Sequence, residues 1–170
     1  MVDRIIKKVI SSQLIVYIIR CLIGFLIGYS IYWNYAKFET IWLLISIILV
    51  ISPEEKDSRR LSIDRFRSNL IGSSVAMVCI LAHGNEPYMI AIGIFLTILT
   101  CRYFKVLNMA RVAIVALLII MVDPNLAELT YTPIFRFFCV GIGCLIGLLI
   151  VVFSSMLFRS FKRKYGIPIN

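Results

Sequence analysis

Apolar residues run in six blocks along this chain, each separated from the next by a short polar or charged stretch. The blocks are Leu14 to Trp33, Ala36 to Ser52, Asn69 to Ala82, Tyr88 to Cys101, Met109 to Val122 and Phe135 to Phe158. Apolar blocks with so few internal charges predict membrane-spanning helices rather than the amphipathic stripes of a soluble core. The first and last reach the ~20 residues that a simple spanning helix needs, whereas the middle four have uninterrupted apolar cores of about 12–15 residues. Short segments of that kind cross only by adding polar flanking turns, or where neighbouring chain covers their ends. Four spans with re-entrant pieces is the competing arrangement.

The distribution of cations favours six spans. Arg4, Lys7 and Lys8 form one cluster, and Lys56, Arg59, Arg60, Arg65 and Arg67 a second. Arg102, Lys105 and Arg111 form a third, and Arg159, Lys162, Arg163 and Lys164 a fourth. These clusters hold 15 of the 18 cations and fall at alternate ends of the six blocks. Only Lys37 and Arg136 lie on the other side, and Arg20 is inside the first block. By the positive-inside rule both termini and the loops after spans two and four are cytoplasmic. The opposite loops carry Glu39, Glu86, Asp123 and Glu128. The expected fold is an all-α membrane protein, a single membrane domain of six transmembrane helices.

Composition agrees with that reading. The chain is 61% hydrophobic and 16% charged with a mean hydropathy of +0.95, too apolar for a water-soluble domain. The net charge of +9 is accounted for by topology and by attraction to anionic lipid. No basic segment interleaved with aromatics lies outside the blocks, so no nucleic-acid partner is expected. The basic start followed by an apolar run has the outline of a signal peptide. That run is too long for a signal core and lacks a small-residue cleavage site, so it reads as span one. Five cysteines lie in or at the ends of apolar blocks without a CxxC pair, which predicts packing roles rather than disulfides or metal ligands.

An internal echo adds architecture. Moving Pro53, Arg65, Phe66 and Gly72 by 71 positions gives Pro124, Arg136, Phe137 and Gly143. The same shift carries Ile23 to Ile94, Ile27 to Ile98, Tyr32 to Tyr103 and Ile48 to Ile119. It sets span one on span four, two on five and three on six, giving repeats of about 14–84 and 85–158 and a basic cytoplasmic tail at 159–170. Three spans per repeat means that the two copies face opposite ways in the bilayer, a construction used by many transporters. Spans two and five are both short and both run into a proline. That pairing points to a central binding site, although proline also simply ends helices at a membrane surface.

Candidate chemistry is confined to a few residues. Arg20 lies about six residues into span one, roughly 9 Å at 1.5 Å per residue, with no acidic residue inside a span to neutralise it. It either snorkels to the cytoplasmic headgroups or faces the bundle, where an anion or a water-filled cavity would be its partner. Arg65 and Arg136 hold matching positions at the starts of spans three and six. Arg136 either reaches external headgroups or, with Arg65, guards an anion pathway, since a guanidinium fork suits a carboxylate. Gly24 with Gly28 and Gly143 with Gly147 form GxxxG pairs that, with Gly72, predict close helix packing. No enzyme constellation is present: the single His83 lies in HGNEP, and neither HExxH, GxSxG nor a phosphate-cradling glycine loop occurs. No catalytic residue, metal or cofactor is therefore expected.

Several of these residues also carry a family resemblance. Trp42 opens span two and Pro53 closes it, and Arg65-Phe66-Arg67-Ser68-Asn69-Leu70-Ile71-Gly72 enters span three. The stretch from Arg102 to Ala110 precedes span five, and Arg136-Phe137-Phe138-Cys139-Val140-Gly141-Ile142-Gly143 enters span six. With these residues the chain resembles the fusaric acid resistance and aromatic acid exporter superfamily over roughly residues 15 to 155. More distantly it looks like the membrane part of plant aluminium-activated malate channels. The resemblance implies a six-span unit of the bacterial inner membrane that exports aromatic or other small organic acids. Arginines lining the pathway are implied by the resembling channels, in agreement with Arg65, Arg67 and Arg136. Members often carry two such units or a cytoplasmic domain, which implies a homodimer or a second membrane subunit here.

The expected function is efflux of small organic anions such as aromatic carboxylates along an arginine-lined route. Arg20, Arg65, Arg67 and Arg136 would supply positive potential, and Trp42 and Phe137 would stack on a ring. For Trp42 a place in the interfacial aromatic belt competes with that role. A small non-transporting interaction protein, such as an immunity or assembly factor, is the alternative.

Overall fold

The computed structural model describes residues 13–35, 40–83, 86–122 and 132–164. Among these residues the chain is helical throughout: α1 (Gln13–Asn34), α2 (Ile41–Val50), α3 (Glu55–His83), α4 (Pro87–Tyr103), α5 (Ala110–Val122) and α6 (Thr132–Lys164). A 3₁₀ turn, Leu107–Met109, leads into α5. Two helices are long and apolar enough to cross a membrane, α1 over Leu14–Asn34 and α6 over Pro133–Ser160. α2, α4 and the segment Leu107–Val122 are apolar but shorter. The 10 residues of α2 span only about 15 Å at 1.5 Å per residue.

The largest departure from the sequence reading is the segment after α2. The cationic stretch expected as a loop is the first half of α3, which begins at Glu55 and is a continuous helix of 29 residues through His83. Acidic Glu55 and Asp57 sit in its first turn, where the helix dipole favours negative charge. Glu55 pairs with Arg59 one turn on at 2.7 Å and with Arg159 of α6 at 3.2 Å. The Ser58 hydroxyl, fully buried, accepts the Ser52 N–H at 3.0 Å and fixes the corner between α2 and α3. Pro124, the second proline of the echo, lies outside the described residues, as do the N-terminal cation cluster and most of the acidic loop residues.

Packing divides the chain into two units, residues 1–62 with 142–170 and residues 63–141, the cuts falling inside α3 and α6. In the first unit α2 is the centre. Leu43, Ile47, Val50 and Ile51 are buried, and glycines of two helices lie against them. A Cβ on Gly24 would stand 2.5 Å from Ile51 Cδ1 and 3.0 Å from Ile47 Cγ2. Gly28 lies against Leu44 and Ile47. On the α6 side, a Cβ on Gly143 would stand 2.5 Å from the Leu43 carbonyl oxygen, and one on Gly147 2.9 Å from that of Ile47. Backbones this close exclude any side chain, and glycine here permits helix contact that lipid alone does not drive.

In the second unit α5 holds the corresponding central position. Ala76, Cys79, Leu117, Ile120 and Met121 form one buried cluster, and Ile71, Cys101, Ala110 and Ala113 another, with Val75 packed against both. Gly72 of α3 meets the Ala113 carbonyl oxygen and the Ala116 Cβ, while Gly93 of α4 lies against Leu117 and Cys79. None of the five cysteines is joined in a disulfide.

Candidate functional site

Arg20, the intramembrane charge of the sequence reading, lies in the first unit and is only 4% exposed. Its guanidinium is held by neutral acceptors. Nε donates to Ser154 Oγ at 2.8 Å, Nη2 to Ser155 Oγ at 2.9 Å, and Nη1 to the carbonyls of Ser52 and Pro53 at 3.0 and 2.9 Å. A long side chain on a helix points toward the N-terminus, which from α1 directs Arg20 at the α2–α3 corner. The four acceptors come from that corner and from α6, so one fork joins three segments of the chain. Trp42, also in this unit, is half-buried at the start of α2, and its carbonyl accepts the Ser46 hydroxyl at 2.6 Å.

The second unit contains the remaining predicted residues and two cavities. One begins with the end of α4. Val106 N–H donates to the Cys101 carbonyl at 2.9 Å and Lys105 N–H to that of Arg102 at 3.1 Å, while Lys105 adopts φ = 56°. This is the Schellman arrangement that closes a helix, with lysine in the left-handed position glycine usually takes. The turn throws Phe104 and Val106 toward α3. There they line a cavity of about 340 Å³ with Arg67, Leu70 and Ile71. Arg67 is exposed, and among the described residues its guanidinium has no ion pair or hydrogen bond. An unengaged planar fork beside an aromatic ring and three aliphatic side chains is suited to an organic anion: two parallel N–H bonds for a carboxylate, apolar wall for its carbon skeleton.

A smaller cleft of about 160 Å³ follows one turn further along α3. Its lining includes Leu70, Ser73 and Met77 from α3, and Pro133, Ile134 and Phe137 from the first turns of α6. Leu70 belongs to both cavities. Phe137 packs on Phe66 with ring centroids 5.2 Å apart, so the two phenylalanines of the sequence echo touch each other. Arg136 is 2% exposed and Arg65 half-buried, so of the arginines assigned to this part of the chain only Arg67 stands open. Phe104, Val106 and Ser73 were not singled out as site residues from sequence. The signal available for the first two was an aromatic pair embedded in a cation cluster, Arg102-Tyr103-Phe104-Lys105, between two apolar blocks. Among the described residues no group of His, Cys, Asp and Glu is placed to hold a metal.

Comparison with known proteins agrees with the family resemblance. The pattern of the family described as "Aromatic acid exporter family member 1" matches residues 2–154. The UPF0421 protein OB2406 of Oceanobacillus iheyensis is 28% identical over 151 residues, 89% of this chain and 39% of that protein. The chain thus spans about two fifths of the length of the curated relative it matches. No solved structure matches it. With the match covering nearly every residue, the chain belongs to the aromatic acid exporter family, a family of membrane transport proteins.

Proposed function

We propose that the protein moves small organic anions, aromatic carboxylates foremost, outward across the bacterial inner membrane, and that the cavity of Arg67 and Phe104 receives the substrate. The observation that carries this reading is the unengaged Arg67 fork at the mouth of a largely apolar cavity of about 340 Å³. That volume lies in the roughly 300–1,000 Å³ range of small-molecule sites. The carboxylate exchanges its water shell for the guanidinium and the ring lies against Phe104, Leu70 and Val106. Arg65 and Arg136 add positive potential in the same unit. Arg20, with four of its N–H groups already bonded, contributes a fixed charge rather than a ligand for the substrate.

The reading includes six spans arranged as two inverted repeats, and matching contacts within each unit support it. Gly24 faces Ile47 and Ile150 as Gly93 faces Leu117 and Cys79, and Gly143 faces Leu43 and Ser46 as Gly72 faces Ala113 and Ala116. The buried residues Leu43, Ser46, Ile47 and Val50 of α2 and its C-cap Ile51 fall on the buried residues Ala113, Ala116, Leu117, Ile120 and Met121 of α5 at one constant shift. A second copy or a second membrane subunit completes the transporter.

Export of labelled benzoate from cells, or its uptake into inverted vesicles, tests the reading. Arg67→Gln should lower the initial rate about ten-fold or more, since a lost charged hydrogen-bond partner is worth that much. Arg67→Lys should retain part of it, keeping the charge without the fork. Wild-type rates in Arg67→Gln would rule the receptor out.

A further inference from the structure

The smaller cleft on α3 holds polar groups that the proposed receptor does not use. Ser73 is 4% exposed and lines the cleft, and its hydroxyl has no hydrogen-bond partner among the described residues. Asn69, one helical turn earlier on the same face and likewise 4% exposed, has an amide Nδ2 without a partner. A buried donor left unpaired costs about 1–3 kcal/mol, so the Ser73 hydroxyl in the wall of the cleft needs a reason. Apart from Ser74 the remaining wall is apolar: Leu70, Met77, Pro133, Ile134 and Phe137. The volume of about 160 Å³ is close to the ~150 Å³ of an apolar cavity known to hold one benzene molecule.

We propose that this cleft is a second station for the same organic acid, its ring against Phe137 and Met77 and its carboxylate on the Ser73 hydroxyl. The inference rests on the proposed transport function and extends it. Leu70 is the wall common to both cavities, and Arg67 and Ser73 are six residues apart, roughly 9 Å along the helix at 1.5 Å per residue. A substrate released by the Arg67 fork therefore has a ring-sized cleft with an unpaired hydroxyl one to two helical turns away. The first station binds through a full charge and the second through a neutral hydroxyl. Neutral donors hold an anion less tightly than a guanidinium. Multiple moderate sites are what conduction needs, since each must be favourable to enter and easy to leave.

The test is equilibrium binding of labelled benzoate to the purified full chain in lipid nanodiscs, read as stoichiometry and affinity. Two benzoates per chain are expected. Ser73→Leu, which fills the cleft, should remove one of them, and Ser73→Ala should weaken that one about ten-fold while leaving the other unchanged. A single benzoate in the wild type, the result expected if a lipid chain occupies the cleft, overturns the proposal. So does wild-type binding in both Ser73 variants. Arg67→Gln separates the two assignments. Loss of one benzoate in Arg67→Gln with no change in either Ser73 variant overturns the second station and leaves the receptor standing. Loss only in the Ser73 variants supports the second station and removes the receptor.

Discussion

At the scale of single residues, Arg20 is the most informative group in the first unit. An arginine this deep in an apolar helix needs either an anion or a full set of acceptors. It has acceptors, two serine hydroxyls and two carbonyls, contributed by residues 32 to 135 positions away in the chain. Sequence marked the charge readily, because it stands alone in an apolar block. The cage was not legible, because its members are serines and backbone carbonyls that become a site only when α6 and the α2–α3 corner meet α1. The geometry makes a specific demand on the cation. Lysine brings the same charge as a point with three donors, so Arg20→Lys leaves at least one of the four acceptors without its bond. A loss of about 1–3 kcal/mol is expected, read as a lower melting temperature of the detergent-solubilised protein. Melting of Arg20→Lys at the wild-type temperature would show that the cage does not hold the unit together.

At the scale of elements, the apolar blocks located all six helices of the described residues, and their ends were the least legible part. α3 extends well before its apolar block because its first half is a charged helix without an apolar stripe, and hydrophobic pattern detects only faces that are buried. Charge spacing carried the missing signal, as in the Glu55–Arg59 pair at i,i+4. The close of α4 was hidden for a different reason. A Schellman turn is usually announced by glycine, and here lysine occupies the left-handed position. A left-handed conformation costs a non-glycine residue about 1–2 kcal/mol, so Lys105→Gly should raise the melting temperature and preserve the cavity of Phe104 and Val106. Lys105→Val, β-branched and worse suited to positive φ, should lower the melting temperature and weaken benzoate binding together. A melting temperature for Lys105→Gly below that of wild type contradicts this account of the turn.

At the scale of the whole molecule, the echo at 71 residues led to the proposed repeat by an indirect route. Several of its matches are isoleucines on outward faces, such as Ile23 and Ile27, where identity reports composition more than packing. The residues in matching contacts correspond at slightly different shifts from helix to helix: Gly24 with Gly93, Ile47 with Leu117, Gly72 with Gly143. On that alignment Arg20 corresponds to Met89, so the charge and its serine cage belong to one half only. The proposed inverted arrangement makes a topological demand that chain location alone can answer. With termini and the second and third cation clusters cytoplasmic, a green fluorescent protein fused after Lys164 should fluoresce, and alkaline phosphatase fused there should be inactive. Phosphatase fused after Gly84 should be active, and after Lys105 inactive. A four-span arrangement with re-entrant middle segments keeps residues 84 and 105 on one side, and the two fusions would then behave alike. Opposite behaviour requires that α4 crosses the bilayer despite its 17 residues, about 25 Å at 1.5 Å per residue, against a hydrocarbon core of ~30 Å. The shortfall is small enough for local thinning or flanking side chains to meet, so α4 is the element on which the six-span count turns.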